Sequence, residues 1–220
     1  MQSSARENYL KTILELQEAQ GTEIIKLNLI AKELGLAAGT VTGMVKALTA
    51  EGFLEYRAYV GCRLTTKGRK LAVTTLRNHR IIELFLVDIV GMDWSEVHDE
   101  ADRIEHALSP KVVSGIDKLL GYPVFDPHGD PIPTADGEIP KYNHSKLHSC
   151  KAGDTCEISR ILDESKQFLS FIGDIALYPG TIVHIDEIQP EAGIIRLRPE
   201  GAEPVVLSLE SAEKLLIKAL

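Results

Sequence analysis

Cysteines and long apolar runs are both scarce in this chain of 220 residues. The three cysteines, Cys62, Cys150 and Cys156, form neither an even set nor a CxxC pair, which argues against a disulfide framework and a thiolate zinc site. No run reaches the ~18 apolar residues of a membrane span, and the N-terminal residues lack the apolar segment of a secretion signal. We therefore expect a cytoplasmic protein with no membrane partner.

Negative charge exceeds positive charge, with 32 acidic and 24 basic residues. The excess is uneven, because residues 1–72 contain ten Lys and Arg against seven Asp and Glu. A basic region suits contact with the phosphates of nucleic acid, and an acidic region suits cations. DNA is therefore expected at the N-terminal part of the chain and metal ions in the rest.

Residues 1–72 have the pattern of a winged helix-turn-helix DNA-binding domain. A helical stripe over residues 4–20 ends at Gly21, and two shorter helices follow on either side of Gly35. After Gly52, the sequence FLEYRAYVGCRLT alternates like a two-stranded ribbon that turns near Val60 and Gly61. In a winged helix, the second helix of the helix-turn-helix enters the major groove.

The remaining residues predict a helical metal-binding and dimerisation domain over 73–140, a linker over 141–152 and a small SH3-like β-barrel over 153–220. Apolar residues recur at helical spacing from Thr66 to about Val90, from Ser95 to about Leu108 and after Pro110. Their excess over what one small domain can bury predicts a dimer interface. Short alternating runs after Gly153 predict the barrel. The fold class is thus mainly α with β.

The segment from His98 to His106 has the strongest metal-binding pattern. At about 100° per residue, Asp102 lies between Glu105 and His106 on a helix, with His98 nearby. On the preceding long helix, His79 and Glu83 are four residues apart and form a second pair of candidate ligands. Carboxylates and imidazoles without thiolates suit Mn(II) or Fe(II) better than structural zinc. A solvated acidic helix is the alternative, and two such clusters behind a winged helix argue against it.

Several long motifs resemble the diphtheria-toxin-repressor family, which includes the manganese-transport-regulator branch. They are ENYLKTILEL, TVTGMVKALTAEGFLEY, LTTKGRKLA, RNHRIIELFL, VHDEADRIEHALS and DPHGDPIPTADGEIP, in that order. The resemblance covers nearly the whole chain. It implies a homodimeric, metal-dependent repressor that binds a pseudo-palindromic DNA operator, with long helices at the dimer interface.

The resemblance also implies two metal sites. The regulatory site matches Asn8, Asp102, Glu105 and His106. The ancillary site matches His79, Glu83, His98, Glu164 and Gln167. Some relatives recruit a further ligand from the loop after the helices, where Asp126 and His128 stand. A regulatory metal would join the first helix to the helix that contains Asp102, and so set the spacing of the two recognition helices.

Departures from the family pattern bear on which metal is bound. The iron branch has sulfur donors where Asn8 and Asp102 stand, so their absence favours manganese. The manganese branch usually has an aspartate at the position of Asn8 and often an acid at that of Lys11. Mn(II) is therefore the expected co-repressor and Fe(II) the next, with Zn(II), Co(II) and Ni(II) able to bind in vitro.

Small residues dominate the start of the predicted recognition helix, so direct contact with base edges is expected to be sparse. Thr40 and Thr42 can reach phosphates, or Thr42 a base edge. The residues expected to contact DNA are Lys26, Thr40, Thr42, Lys46, Arg57, Tyr59, Arg63 and Lys67.

These features predict a repressor of metal-ion uptake or homeostasis genes and not an enzyme. A metal-dependent hydrolase is disfavoured because HExxH and the nucleophile elbow are both missing from the sequence. An iron-dependent repressor of the same family and, more remotely, a winged-helix regulator of an organic ligand remain alternatives. A chelator separates the last of these, since it would leave operator binding by an organic-ligand sensor unchanged.

Overall fold

The computed structural model describes residues 3–220, which form two compact units. The first unit comprises the described residues up to His79 together with Asp102–Val113 and Pro133–Ile139. The second comprises Arg80–Ala101, Ser114–Ile132 and Pro140–Leu220. Each unit has its own buried apolar core, so each is described by itself.

Three helices open the first unit: α1 (Ser3–Gln20), α2 (Leu27–Glu33) and α3 (Ala38–Ala50). α1 buries Leu10, Ile13 and Leu14, which share one face because they recur at helical spacing. Gly35 follows α2 with a φ of +63°, a conformation that glycine adopts without strain. The predicted helix-turn-helix is therefore confirmed in α2 and α3.

A two-stranded antiparallel ribbon follows, formed by β1 (Leu54–Arg57) and β2 (Gly61–Leu64). The backbone groups of Cys62 exchange two hydrogen bonds of 2.9 Å with those of Ile25, which fastens the ribbon to the chain before α2. Both side chains are buried in the same core. The ribbon is the predicted wing.

Three further helices are α4 (Thr66–Phe85), α5 (Val97–Ile104) and α6 (Pro110–Leu119). α4 was expected to reach Val90, but after Phe85 the chain makes one π-helical turn that ends at Gly91, where φ is +78°. α5 was expected to reach Leu108 and instead ends at Ile104. As a result, Glu105 and His106 lie in the turn that follows α5.

The C-terminal part of the second unit contains one antiparallel sheet of six strands. The strands are β3 (Ser145–Lys146), β4 (Thr155–Ile161), β5 (Ile182–Gln189), β6 (Ile194–Pro199), β7 (Val205–Ser208) and β8 (Leu215–Ala219). Their order is β3-β8-β4-β5-β6-β7, and the edge strands do not pair with each other within residues 3–220. Two helices accompany the sheet, α7 (Lys166–Asp174) and the short α8 (Leu209–Ala212).

This sheet confirms that the C-terminal part is a small antiparallel β domain, but the sheet is not closed into the expected barrel within residues 3–220. The sequence indicated only four of its strands, β4 to β7. β8 was missed, and it occupies an interior position between β3 and β4. The predicted helical interruption is α7, which buries Leu169 and Ile172 in the core of the second unit. Among residues 3–220, every helix is too short or too polar to span a membrane.

Candidate metal centres and DNA-binding surface

The first unit contains a cluster of charged side chains around a buried lysine, which we name the Lys11 centre. It consists of Lys11 on α1, His79 on α4, Asp102 on α5 and Glu105 in the turn after α5. The ammonium nitrogen of Lys11 lies 2.6 Å from Asp102 Oδ1, 3.2 Å from Glu105 Oε1 and 3.1 Å from Glu105 Oε2. The three protons of an ammonium group can therefore all be donated to carboxylate oxygens.

His79 completes this cluster. Its Nδ1 lies 2.6 Å from Glu105 Oε2, 3.2 Å from Asp102 Oδ1 and 3.0 Å from the Lys11 nitrogen. The shortest of these contacts is a hydrogen bond that Nδ1–H donates to the Glu105 carboxylate. The resemblance assigns His79 to the ancillary site, and its Nδ1 contacts two predicted regulatory ligands, Asp102 and Glu105. That assignment stays a prediction.

Burial makes the charges of this centre strongly interdependent. The side chains of Lys11 and Glu105 are 5% and 0% exposed, against 37% for Asp102. Burial by itself would lower the pKa of Lys11, but Glu105, Glu15 and Asp102 raise it above its ordinary value. Burial would likewise raise the pKa of Asp102, yet hydrogen bonding to His79 and the charge of Lys11 hold it well below its usual range. The ammonium and the Asp102 carboxylate are thus both charged at neutral pH.

Of the other two predicted regulatory ligands, His106 contacts Glu105 of this centre, and Asn8 lies about one helical turn before Lys11 on α1. His106 Nδ1 contacts Glu7 Oε2 at 2.6 Å, and its Nε2 lies 3.2 Å from Glu105 Oε1 without the geometry of a hydrogen bond. Asn8 Oδ1 and His106 Nε2 are both buried and lack hydrogen-bond partners among the described residues. They are donor atoms that a metal ion could use.

A divalent ion at this centre would have to share Asp102 and Glu105 with the Lys11 ammonium. Two unit charges ~4 Å apart repel by about 4 kcal/mol at an effective dielectric constant of ~20, so a divalent ion beside an ammonium experiences about twice that. Two neutral donors, Asn8 and His106, bring no negative charge to offset this repulsion. The set formed by His79, Asp102 and Glu105 therefore does not fit a divalent ion while Lys11 is charged.

The second unit contains a different cluster, which we name the His128 centre. Donor atoms of Glu83 on α4, His128 in the loop after α6 and Glu164 just before α7 all lie within 4.8 Å of one another. His98 on α5 adds a fourth side chain, because its Nδ1 is 3.1 Å from Glu83 Oε1 and 3.5 Å from Glu164 Oε2. Two carboxylates and two imidazoles thus converge from four segments of the chain.

The loop geometry orients His128 into this cluster. Asp126 Oδ1 accepts hydrogen bonds from the backbone N–H groups of His128 and Asp130, both at 2.9 Å, and Gly129 has a φ of +88°. A Cβ at Gly129 would come within 2.1 Å of the carbonyl oxygen of Ser159, so only glycine fits there. The turn is therefore fixed by its sequence DPHGD.

The protonation of the His128 ring follows from its neighbour. Its Nε2 lies 3.0 Å from the carbonyl oxygen of Trp94, which can only accept, so Nε2 carries the proton. The lone pair is then on Nδ1, which is buried and has no hydrogen-bond partner among the described residues. A ring held through one nitrogen with the other left open is the usual arrangement of a histidine that ligates a metal.

Excess negative charge marks the same place. Burial and the neighbouring carboxylates of Asp130 and Glu83 raise the pKa of Glu164 to about 7. Burial together with Asp130 also raises the pKa of Asp126 well above its ordinary range. Arg80 and Arg160 both donate to Asp130 Oδ1, at 2.7 and 2.5 Å. The residues of the His128 centre therefore fit a divalent cation.

Two other predicted ligands differ in their surroundings. Asp126 is buried with Oδ1 bonded to backbone and Oδ2 at 3.5 Å from Arg80 Nε, so it shapes the turn that presents His128. Gln167 is exposed on the first turn of α7. Their roles as ligands stay predictions. The importance of Lys11 was missed, although its position where relatives often have an acid was a signal.

Most residues expected to contact DNA are exposed in the first unit. Lys26, Thr40, Lys46 and Arg57 are exposed, and Tyr59 is fully exposed at the tip of the wing.

Three of the expected DNA contacts already have intramolecular bonds. Thr42 donates its hydroxyl to Ala38 O at 2.8 Å, and Arg63 bonds Glu55 at 2.8 Å. Lys67 donates to the carbonyl oxygen of Glu51 at 2.9 Å and lies 4.0 Å from the centre of the Phe53 ring. To contact DNA, each of these side chains would have to keep its intramolecular bond or replace it with a bond to DNA. Their roles in DNA contact stay predictions.

Two family models match the chain. The model described as iron dependent repressor, N-terminal DNA binding domain, matches residues 1–62. The model described as iron dependent repressor, metal binding and dimerisation domain, matches residues 65–134. Together they cover the winged helix, α4, α5, α6 and the loop that contains His128.

Individual relatives extend the match to the C-terminus. An iron-dependent repressor from Mycobacterium leprae (strain TN) is 30% identical over 224 aligned residues, which covers 96% of each chain. A solved manganese-dependent transcriptional repressor in complex with manganese superposes with a TM-score of 0.86 at 33% identity, covering 98% of this chain and 100% of the other. The regulator ScaR with bound zinc gives 0.76 at 30% identity over 98% of this chain and 99% of that one. This chain belongs to the iron-dependent repressor family of metal-dependent transcriptional regulators, which bind DNA and dimerise.

Proposed function

We propose that this protein represses genes of metal-ion uptake, with Mn(II) as co-repressor bound at the His128 centre. Two observations carry the proposal. Donor atoms of His128, Glu83 and Glu164 lie within 4.8 Å of one another, and His128 Nδ1 is buried without a hydrogen-bond partner among the described residues. His98 would supply the fourth donor. Solved relatives named as manganese-dependent repressors support the choice of metal.

Two oxygen and two nitrogen donors without sulfur suit a hard or borderline divalent ion. The same donors would accept Fe(II), and relatives named as iron-dependent repressors favour it as the second candidate. Zinc, cobalt and nickel bind imidazole more tightly than manganese does, so selectivity has to come from geometry and availability. Mn(II) and Fe(II) are therefore the two ions to compare directly in binding measurements.

The residues of the centre define what metal binding would do. A bound ion would neutralise the carboxylates of Glu83 and Glu164. Glu83 belongs to α4, which begins immediately after the wing, and His98 belongs to α5. Holding these helices together would favour one conformation of the dimer on DNA. A coupling of about 1–3 kcal/mol corresponds to about 5–150-fold in operator affinity.

DNA recognition is proposed to rest on α3 and the wing of each protomer, placed on the two halves of a pseudo-palindromic operator. The exposed start of α3 carries small side chains, so phosphate contacts would supply most of the affinity. Lys26, Lys46 and Arg57 are exposed and are the best placed for such contacts.

Replacement of Lys46 by alanine is expected to weaken operator binding by reducing the number of phosphate contacts. Each lost contact lowers the slope of log affinity against log salt by about 0.9, so the dimer should lose about twice that. Fluorescence anisotropy across a salt series measures the slope. The matched control is Lys151→Ala, at an exposed lysine of the second unit. An unchanged slope for Lys46→Ala would remove this residue from the interface.

The raised pKa of Glu164 predicts a pH dependence of the metal-free protein. The native carboxyl holds its proton up to about pH 7, whereas the ordinary value is 4.5. The free energy of unfolding should therefore fall as pH rises from about 4.5 to about 7, and level off above that range. Urea unfolding in EDTA across this range measures it. Glu164→Gln should flatten this decline, and an equal decline in the variant would contradict the assignment.

Operator binding in the presence of each metal tests the proposal as a whole. A duplex selected from a random-sequence pool with Mn(II) serves as the operator, and gel shifts are run anaerobically with manganese, iron, zinc and cobalt. We expect EDTA to abolish tight binding and added Mn(II) to restore it. Binding that ignores EDTA would favour a sensor of an organic ligand instead.

A further inference from the structure

We infer that the ammonium group of Lys11 is the resident cation of the Lys11 centre, and that it joins α1 to α5 without a metal ion. The inference rests on the proposed function in one respect, because the proposed function places the regulatory Mn(II) ion at the His128 centre. It departs from the expectation that a divalent ion fills the regulatory site.

The geometry of Lys11 is that of a bound cation. Its nitrogen is surrounded by Asp102 Oδ1 and both oxygens of Glu105 at 2.6–3.2 Å, and the side chain is 5% exposed. Donor atoms of His79, Asp102 and Glu105 also lie within 4.8 Å of one another, a grouping that could hold a metal ion. The ammonium and a metal ion would therefore compete for the same carboxylates.

The ion pairs join segments that are distant in sequence. Lys11 and Glu7 are on α1, whereas Asp102 is on α5 and His106 follows it. The contacts Lys11–Asp102 and Glu7–His106, both 2.6 Å, fasten the same two segments. Because these bonds involve protein groups alone, α1 is positioned before any metal binds.

A second consequence concerns the number of metal ions. With Lys11 charged, a tight divalent ion is expected only at the His128 centre, so each protomer should bind one. Removing the ammonium leaves the carboxylates of Asp102 and Glu105 without a cation, while Asn8 Oδ1 on α1 and His106 Nε2 are buried and lack hydrogen-bond partners among the described residues. Those four groups could then hold a second ion.

The experiment counts Mn(II) ions by equilibrium dialysis and elemental analysis of the full-length protein. Wild type should bind one ion per protomer, which Glu83→Gln should remove. Lys11→Glu and Lys11→Met should each bind one additional ion, at least tenfold more tightly than any second ion on the wild type. The control Lys151→Glu, which adds an acid elsewhere on the surface, should not.

Hydrogen exchange of α1 in EDTA supplies a second measurement that does not depend on metal. The amides of α1 should exchange slowly in the wild type. Their protection factors should fall at least tenfold in Lys11→Met and recover in part in Lys11→Arg. A second wild-type ion that Glu105→Gln removes would overturn the inference, as would unchanged α1 protection in Lys11→Met. If instead Glu83→Gln leaves metal binding intact, the proposed function fails while the exchange result still decides the role of Lys11.

Discussion

Replacement of Glu105 by alanine is expected to lower the free energy of unfolding by about 3–5 kcal/mol, because it leaves a buried ammonium without its main partner. Glu105 contacts Lys11 with both oxygens and His79 with one, and its side chain is fully buried. Asp102 is the remaining carboxylate and is partly exposed, so it compensates only in part. Urea unfolding monitored by circular dichroism, with EDTA present, measures the change.

A double variant separates the loss of the ion pair from the loss of packing. Lys11→Met combined with Glu105→Leu removes both charges and keeps the volume, so it should recover much of the stability lost by Glu105→Ala. Glu191→Ala, at an exposed position of the C-terminal sheet region, is the matched control and should change stability little. A Glu105→Ala protein as stable as the control would contradict the account of the Lys11 centre.

The second large effect concerns metal affinity. Glu83→Gln keeps the size of the side chain but removes a charge that is 1% exposed and lies within 4.8 Å of the other donors of the His128 centre. Loss of a charged ligand should weaken Mn(II) binding by at least about 100-fold, more than the 10–100-fold typical of residues that only orient a ligand.

Electron paramagnetic resonance of free Mn(II) during titration gives this affinity directly. Circular dichroism should show that Glu83→Gln keeps its fold, and Glu191→Gln should bind as the wild type does. Affinity within a factor of about two of the wild type for Glu83→Gln would mean that the ion binds elsewhere.

Local patterns were enough to predict most of the fold. Helical spacing and Gly35 gave the helix-turn-helix, and alternation around Gly61 gave the wing. The ends of α4 and α5 were less accurate, because sequence periodicity does not reveal a π-helical turn at Leu86 or an early end at Ile104. β8 was missed because it pairs with β3 and β4, which are remote in sequence, and because no tight-turn sequence precedes it.

The predicted metal ligands stay predictions, although the structure brings part of the expected ancillary group together. Carboxylates and imidazoles were recognised from their spacing, and Glu83, His98 and Glu164 do converge in the structure. The sequence could not show how well His128 is placed to bind a metal, because its ring is oriented by the backbone carbonyl of Trp94, which is remote in sequence. Lys11 meets Asp102 only in the folded chain, so the one signal in the sequence was its position, where relatives often have an acid.

The central claim is that Mn(II) at the His128 centre controls operator binding. Its most direct test is a gel-shift titration with Mn(II) on the selected operator, comparing wild type with Glu83→Gln. We predict that Mn(II) raises wild-type affinity by about 5–150-fold, and that Glu83→Gln stays at the metal-free level throughout the same range. Equal activation of both proteins by Mn(II) would contradict the account.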